Sequence, residues 1–143
     1  MQQKQTRRSK VNSDQTILMI SDSVFDLAIE TAKSSPSKKK VGAVLLNKNK
    51  VVVTATNLET KSHPIQAKFA ERVGLHQKIY LHAEISALVK CREECDTIVV
   101  ARVNPQNKLR MARPCPICEL ALHEAGITKI HYTTNQGFLY EYN

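Results

Sequence analysis

The spacing of apolar residues predicts an amphipathic helix at the start of the folded chain. One face of this helix carries apolar residues three or four positions apart: Phe25, Ala28, Ile29 and Ala32. Ser21 or Asp22 can cap the first turn, because either side chain offers an oxygen to the unpaired backbone N–H groups there. The polar stretch 34–40 then ends the helix.

Two runs of β-branched residues follow the helix and predict a hairpin. Val41–Leu46 and Val51–Thr56 have the composition of strands, and Asn47–Lys50 supplies the turn between them. A third run, Asp96–Val103, carries apolar residues at consecutive positions instead of alternating ones. That pattern predicts a central strand whose two faces are both buried.

The rest of the chain alternates between helical and extended patterns. Helices are predicted at His82–Arg92 and Cys115–Ala125, and strands at Ile127–Thr134 and Phe138–Tyr142. Because a turn of only three residues separates the last two strands, we expect them to form an antiparallel hairpin. Strands that alternate with helices indicate an α/β fold.

Length and composition indicate one domain with a polar N-terminal arm. The 143 residues fit a single domain, and 42% of them are hydrophobic, which is enough for a sizeable core. Residues 1–13 are charged and polar without an apolar period. We therefore expect a disordered basic arm over 1–13 and a single domain over 14–143.

The sequence predicts neither a membrane segment nor a secretory signal. It has no stretch of about 18 apolar residues, and Ile17–Ile20 is too short for the apolar part of a signal peptide. Four cysteines without such a signal indicate a reducing compartment. We therefore expect a cytoplasmic protein whose thiols bind metal.

The net charge of +8 is consistent with a ligand that carries phosphate. Positive charge attracts nucleotides and nucleic acids alike, so it does not choose between these partners. A solvated basic surface explains the same charge equally well.

A histidine and a cysteine pair in C-x-x-C spacing can build a catalytic zinc site. The three ligand candidates are His82, Cys115 and Cys118. Three protein ligands leave the fourth position of a tetrahedral Zn²⁺ open for water, as in catalytic zinc sites. Glu84, two residues after the histidine, is placed to take a proton from that water.

The combined pattern H-x-E…P-C-x-x-C, which runs from His82 to Cys118, resembles the cytidine deaminase-like superfamily. The chain looks most similar to its deoxycytidylate deaminase branch and to small phage-type relatives. The resemblance implies a three-layer α-β-α fold around a mixed five-stranded sheet, Zn²⁺ as cofactor, and a homo-oligomer. It also implies hydrolytic conversion of a cytosine nucleotide to the uracil nucleotide, with release of ammonia.

The same resemblance implies roles for individual residues. Glu84 would move protons between water, the ring nitrogen and the departing ammonia. The backbone N–H of Ala83 and the region of Pro114 would bind the pyrimidine edge, and Asn57 would contact the sugar. Asn57 can also be a simple turn residue at the end of its strand.

The resemblance and the composition together narrow the choice of substrate class. The histidine at position 82 resembles the residue that the deoxycytidylate, tRNA-adenosine and polynucleotide branches have at this zinc-ligand position. Enzymes that act on free nucleosides usually have cysteine there. The 24-residue connector 58–81 is longer than the tRNA branch tends to have. With no tryptophan, three phenylalanines and four tyrosines, the chain has few residues for stacking bases, which favours a free pyrimidine nucleotide. Deamination of cytosine or adenine in single-stranded DNA or RNA is the alternative.

Basic residues in two connecting segments are the candidates for contacting the phosphate. Segments 58–78 and 104–113 each lead directly to a part of the zinc motif, so we expect them to flank the pocket. The candidates are Lys61, Lys68, Arg72, Lys108, Arg110 and Arg113.

A structural zinc site is the remaining alternative. Cys91 and Cys95 together with Cys115 and Cys118 have the spacing of a four-cysteine site, as in a nucleic-acid-binding module. Against this, the first pair is expected at the far end of the helix that His82 begins, about 15 Å from the motif. Such a site would also leave Glu84 without a role.

Overall fold

The structure, a computed structural model, describes residues 4–6, 21–78 and 80–143. In this part of the chain, the helices are α1 (Asp22–Lys33), α2 (Pro64–Arg72), α3 (Ala83–Lys90) and α4 (Pro116–Glu124). The strands are β1 (Lys4–Thr6), β2 (Lys40–Asn47), β3 (Lys50–Thr56), β4 (Leu58–Ser62), β5 (Tyr80–Leu81), β6 (Thr97–Val103), β7 (Leu109–Arg110), β8 (Lys129–Thr134) and β9 (Gly137–Tyr142).

The main sheet has the strand order β1-β9-β8-β6-β2-β3, and the short β7 pairs with β6. Its five long strands form a mixed sheet, because β6 and β8 run parallel while the other neighbours run antiparallel. The predicted α/β fold with a mixed five-stranded centre is therefore confirmed. The last two strands form the predicted antiparallel hairpin, which closes at the pair Thr134 and Gly137.

Strand β6 is the central strand that its apolar run predicts. Ile98 and Val100 belong to a core cluster with Ala87 of α3, whereas Val99 and Ala101 belong to a second cluster with α1. Consecutive side chains of a strand point to opposite faces, so an apolar residue is needed at every position. Helices thus cover both faces of the sheet, which gives the three layers.

Helix α1 packs closely against the sheet at Gly42. A Cβ atom at this position would lie 2.4 Å from the backbone nitrogen of Ala32 and 2.9 Å from the carbonyl oxygen of Ala28. Those distances leave no room for a side chain, so the glycine allows α1 to pack against β2.

The connector after β3 is more regular than the sequence suggests. It contains β4, which pairs with β5 in a separate two-stranded sheet, and α2. The His63 ring nitrogen Nδ1 accepts a hydrogen bond from the backbone N–H of Ile65 and caps α2. A local ring–backbone cap of this kind replaces the usual serine or aspartate, which is why the start of α2 is hard to see in the sequence.

The C-terminal end of α3 and part of the N-terminal arm differ from the predictions. Helix α3 ends at Lys90, because Cys91 has an extended backbone, with φ −72° and ψ 131°. In the arm, Lys4–Thr6 pairs with β9 as a short edge strand. The rest of the predicted disordered arm, 1–3 and 7–13, lies outside the described residues. Among the helices described, none is long and apolar enough to cross a membrane.

The close approach at Gly42 generates a stability prediction. Gly42→Ala should lower the free energy of unfolding by about 3 kcal/mol, because the added methyl group forces α1 away from the sheet. Urea denaturation followed by circular dichroism measures the difference. Gly74→Ala is the matched control: this position has φ +77° but open space around it, so only a strain of about 1 kcal/mol is expected. Equal losses in the two variants would contradict the packing argument.

Candidate metal centre

The three predicted zinc ligands come together at the starts of two helices. His82 is the N-cap of α3, Cys115 is the N-cap of α4, and Cys118 lies in the first turn of α4. Nδ1 of His82 is 3.3 Å from Sγ of Cys118 and 3.5 Å from Sγ of Cys115. All three ligand atoms lie within 4.8 Å of one another.

These distances fit a tetrahedral Zn²⁺ ion. Bond lengths of about 2.3 Å to sulfur and about 2.0–2.1 Å to nitrogen place tetrahedral N and S ligands about 3.5 Å apart. One imidazole and two thiols are also the ligand types that zinc prefers. Across the described residues, this is the one group of three or more histidine, cysteine or acidic side chains close enough to hold an ion. Ligand types and distances together fit Zn²⁺ as the cofactor of this centre.

An apolar cluster fixes the two helix starts against each other. Buried side chains from α2, β5, α3 and α4 form this cluster, which includes the ligand Cys118: Phe69, Ala70, Leu81, Ile85, Ile117, Cys118 and Ala121. Ile85 and Ile117 are fully buried in the first turns of their helices. The ligand geometry therefore depends on helix packing as well as on the metal.

Gln66 of α2 is a positioning residue that the sequence analysis did not identify. Its side chain is fully buried, and Oε1 accepts the backbone N–H of His82 at 3.1 Å. Its Nε2 donates to the carbonyl oxygen of Lys78 at 3.4 Å. A buried amide bound on both sides holds the segment that delivers the histidine.

Arg113 holds the segment that delivers the cysteines. Its Nε donates to Oε2 of Glu141 at 2.7 Å, and its Nη2 donates to Oε2 of Glu119 at 3.2 Å. The Glu141 side chain is only 1% exposed, so this ion pair is strong and fixed. Because its guanidinium is occupied by two carboxylates, Arg113 is a poor candidate for binding phosphate.

The environment of the two thiols favours one thiolate before metal binds. A hydrogen bond from the Cys118 thiol, helped by one from His82, lowers the pKa of Cys115 to about 4. Burial raises the pKa of Cys118 well above its ordinary value. Cys115 is thus the more acidic of the two thiols. A bound zinc ion would deprotonate both of them outright.

Glu84 is buried beside the ligands, in the first turn of α3. It is 6% exposed, and burial raises the pKa of its carboxyl, while the charge of His82 opposes the rise. A carboxyl with a raised pKa is a better proton acceptor than an exposed glutamate and can pass the proton on. This is the property that a proton shuttle needs.

An open cavity of about 320 Å³ leads to the metal centre. Its lining includes the predicted residues His82, Ala83, Glu84, Cys115 and Asn57. Pro114 is buried between Arg113 and Cys115, and only these two neighbours are part of the lining.

The side chain of Asn57 is largely engaged with the protein. Its Oδ1 accepts hydrogen bonds from Ser35 Oγ at 2.7 Å and from the Val41 backbone N–H at 3.1 Å. Its Nδ2 donates to the Lys39 carbonyl oxygen at 2.6 Å. An amide has two N–H donors, so one remains for a ligand in the cavity. Asn57 therefore shapes the wall whether or not it contacts a sugar.

The cations of the cavity wall are not the ones that the sequence analysis selected. Of its six candidates only Arg113 lines the cavity. Arg72 pairs with Glu124 on the outer side of α2 and α4. Four charged residues of the lining were not predicted from the sequence: Lys39, Glu59, Lys78 and Arg102. In the part of the chain that is described, Lys39, Lys78 and Arg102 have no acidic partner at ion-pair distance.

The four-cysteine alternative is wrong. Cys91 and Cys95 form a separate pair with their Sγ atoms 3.3 Å apart, and neither belongs to the ligand group. Both lie beyond the C-terminal end of α3, whereas His82 lies at its start.

The sequence matches the family model of the cytidine and deoxycytidylate deaminase zinc-binding region over residues 19–134. No curated protein matches the chain. Similar solved structures include a cytidine deaminase from Burkholderia pseudomallei, with 22% identity, TM-score 0.58, and coverage of 87% of this chain and 93% of that chain. A cytidine deaminase from Mycobacterium leprae has 18% identity, TM-score 0.52, and coverage of 82% and 89%. A dCMP deaminase from the cyanophage S-TIM5 has 23% identity, TM-score 0.48, and coverage of 79% and 84%.

The ligand geometry predicts one zinc ion per chain. His82→Ala and Cys115→Ala should each lose the metal, because two remaining ligands hold zinc weakly. Zinc content after gel filtration, measured by atomic emission, tests this. Cys91→Ser and Cys95→Ser are the matched controls and should retain one equivalent. Loss of zinc from either control would mean that the metal lies elsewhere.

Proposed function

The chain belongs to the cytidine and deoxycytidylate deaminase family, and we propose that it hydrolyses the exocyclic amino group of a free cytosine nucleotide such as dCMP. The observation that carries this proposal is the cavity itself. It joins a His-Cys-Cys centre and a buried carboxyl to a wall with three cations that have no acidic partner at ion-pair distance among the described residues. The first two features supply the deamination chemistry, and the third suits a phosphate.

The chemistry at the centre divides between the metal and Glu84. His82, Cys115 and Cys118 would hold Zn²⁺, which would supply a Lewis acid that lowers the pKa of a water molecule. Glu84 takes a first proton from the attacking water and delivers it to the ring nitrogen of the base. It then takes the second proton from the same oxygen and passes it to the leaving amine, which departs as ammonia. Its burial keeps the carboxyl out of bulk water, so the protons stay within the site.

The cavity also offers contacts for the base and the sugar. The Ala83 backbone lies in the first turn of α3, where N–H groups are unpaired and can donate to the pyrimidine edge. Pro114 fixes the opposite segment beside Cys115. Asn57 and Glu59 line the same wall, and amide and carboxylate groups suit sugar hydroxyls.

The cations that line the cavity are the groups that would contact the phosphate of the substrate. Arg102 is half-buried on β6, and its Nε atom is buried without a hydrogen-bond partner among the described residues. Lys39 and Lys78 are exposed beside it in the lining. A guanidinium with a free face and two nearby ammonium groups would bind a dianionic monophosphate.

A second candidate, deamination of a base in single-stranded DNA or RNA, is favoured by one feature of the cavity rim. Tyr80 and Met111 line the cavity and are 57% and 50% exposed, respectively. An exposed tyrosine beside the site could stack on a base that flanks the target. A single aromatic residue gives a short stacking surface, so the free nucleotide is our choice.

The proposed role of Glu84 predicts the behaviour of Glu84→Gln. The amide keeps the shape of the side chain but cannot carry protons, so kcat should fall at least about 10²–10⁴-fold. Zinc content and the melting temperature should stay close to wild type. Release of ammonia from dCMP measures the rate. A variant with more than a tenth of normal turnover would move the shuttle to another group.

The proposed phosphate contact predicts a selective change in KM. Arg102→Gln should raise KM for dCMP about 10- to 100-fold, which corresponds to one lost charge-assisted hydrogen bond. KM for deoxycytidine should change little, because this substrate has no phosphate. Lys78→Gln is a second variant, on an exposed side chain. Lys61→Gln, on the exposed strand β4 outside the cavity lining, is the control.

A substrate panel separates the two candidate functions. The zinc-loaded protein is incubated with dCMP, CMP, deoxycytidine and single-stranded oligonucleotides, and the deaminated products are measured. Turnover of dCMP above the others supports the proposal. Activity confined to oligonucleotides, with a steep salt dependence, would establish the polynucleotide function instead.

A further inference from the structure

Cys91 and Cys95 form a second pair of thiols that the deamination chemistry does not use. Their Sγ atoms are 3.3 Å apart, close enough for one thiol to donate a hydrogen bond to the other. Both residues are partly exposed. We propose that Cys91 and Cys95 are a redox-active dithiol, which small-molecule disulfides such as oxidised glutathione convert to an intramolecular disulfide.

The segment that carries the pair is suited to closing a disulfide. Cys91 follows the last residue of α3, and Cys95 lies two residues before β6, so no regular element separates them. A disulfide needs the sulfur atoms at about 2.05 Å, which is a shift of little more than 1 Å from their present separation. The Cys91 thiol would give up its hydrogen bond to the Glu93 carbonyl oxygen, now 2.8 Å long.

A reagent can reach the pair from solvent. An open cavity of about 450 Å³ lies over the segment, and its lining includes both cysteines with Arg92, Glu93 and Glu94. The lining also includes the apolar residues Leu88, Ala125 and Ile127, and both cysteines pack against the core cluster that contains Ile127. The sulfur atoms thus sit at the boundary between core and solvent.

The reaction is two successive thiol–disulfide exchanges. The Cys91 thiolate attacks one sulfur of oxidised glutathione, a Cys91–glutathione bond forms, and one glutathione thiolate leaves. Cys95 then loses its proton and attacks the Cys91 sulfur, which releases the second glutathione thiolate. The two protein thiols are oxidised, the glutathione disulfide is reduced, and the two protons end on the glutathione thiols.

The order of attack follows from the environments of the two sulfurs. Burial and the hydrogen bond with Cys91 raise the pKa of Cys95 to about 12. A thiol that stays protonated is a poor first nucleophile, so Cys91 attacks and Cys95 resolves. In a reducing compartment such a pair would be thiol at rest and disulfide under oxidising conditions.

Peptide mapping of the zinc-loaded protein tests the proposal. Trypsin cuts after Lys90, Arg92 and Arg102, so the two cysteines fall in separate peptides, 91–92 and 93–102. After treatment with oxidised glutathione and alkylation of free thiols, the two peptides should appear as one disulfide-linked species. Dithiothreitol should separate them again. The zinc ligands Cys115 and Cys118 should be protected by the metal.

Single variants test the order of attack. Cys95→Ser should accumulate the Cys91–glutathione mixed disulfide, because the resolving thiol is missing. Cys91→Ser should react with glutathione at least several-fold more slowly. Full alkylation of both thiols after oxidant treatment would overturn the proposal. A second equivalent of zinc, bound by wild type and lost in the doubly substituted Cys91→Ser, Cys95→Ser protein, would also overturn it and make the pair a metal site. None of these measurements depends on deaminase activity.

Discussion

The packing of the first turns of α3 and α4 against each other is the constraint on which the site depends. One turn brings the histidine and the carboxyl, and the other brings both cysteines. Ile85 and Ile117, fully buried under these turns, hold the two helix starts together, and the three ligand atoms lie within 4.8 Å of one another. Ligands that are positioned by helix packing need little reorganisation to bind an ion. The dipoles of both helices also place their positive ends at the thiols and at Glu84.

The residues that carry the chemistry could be predicted from local sequence because their spacing reflects one helix turn each. The H-x-E and C-x-x-C patterns place their members within a single turn, so no long-range information is needed to group them. The central strand β6 was predictable for a similar reason, since apolar residues at every position require two covered faces. The end of α3 and the start of α2 were harder to predict from the sequence. One helix stops at a cysteine with no helix-breaking residue, and the other starts at a histidine cap.

The residues that hold the site in place were not predictable, because their partners are far away in the chain. Arg113 is paired with Glu141 of β9, 28 positions later, and the His82 amide is bound by Gln66, 16 positions earlier. Such pairs depend on which strands and helices become neighbours in the fold.

The cations of the cavity wall could not be predicted for the same reason. A net charge of +8 suggested phosphate, but only the fold separates Arg102, which lines the cavity, from Arg72, whose charge is neutralised by Glu124.

The two pairs of cysteines lie at opposite ends of helix α3 and differ in their chemistry. The eight residues of this helix span about 12 Å. At its start, Cys115 and Cys118 lie beside His82, where a bound cation removes their protons and protects the sulfurs. At its end, Cys91 and Cys95 have no histidine or acidic side chain among the described residues to complete a metal site, and their sulfurs meet solvent. Two thiols therefore bind a metal ion where a histidine and a helix start lie beside them. Where no third ligand lies beside them, the two thiols can react with each other to form a disulfide.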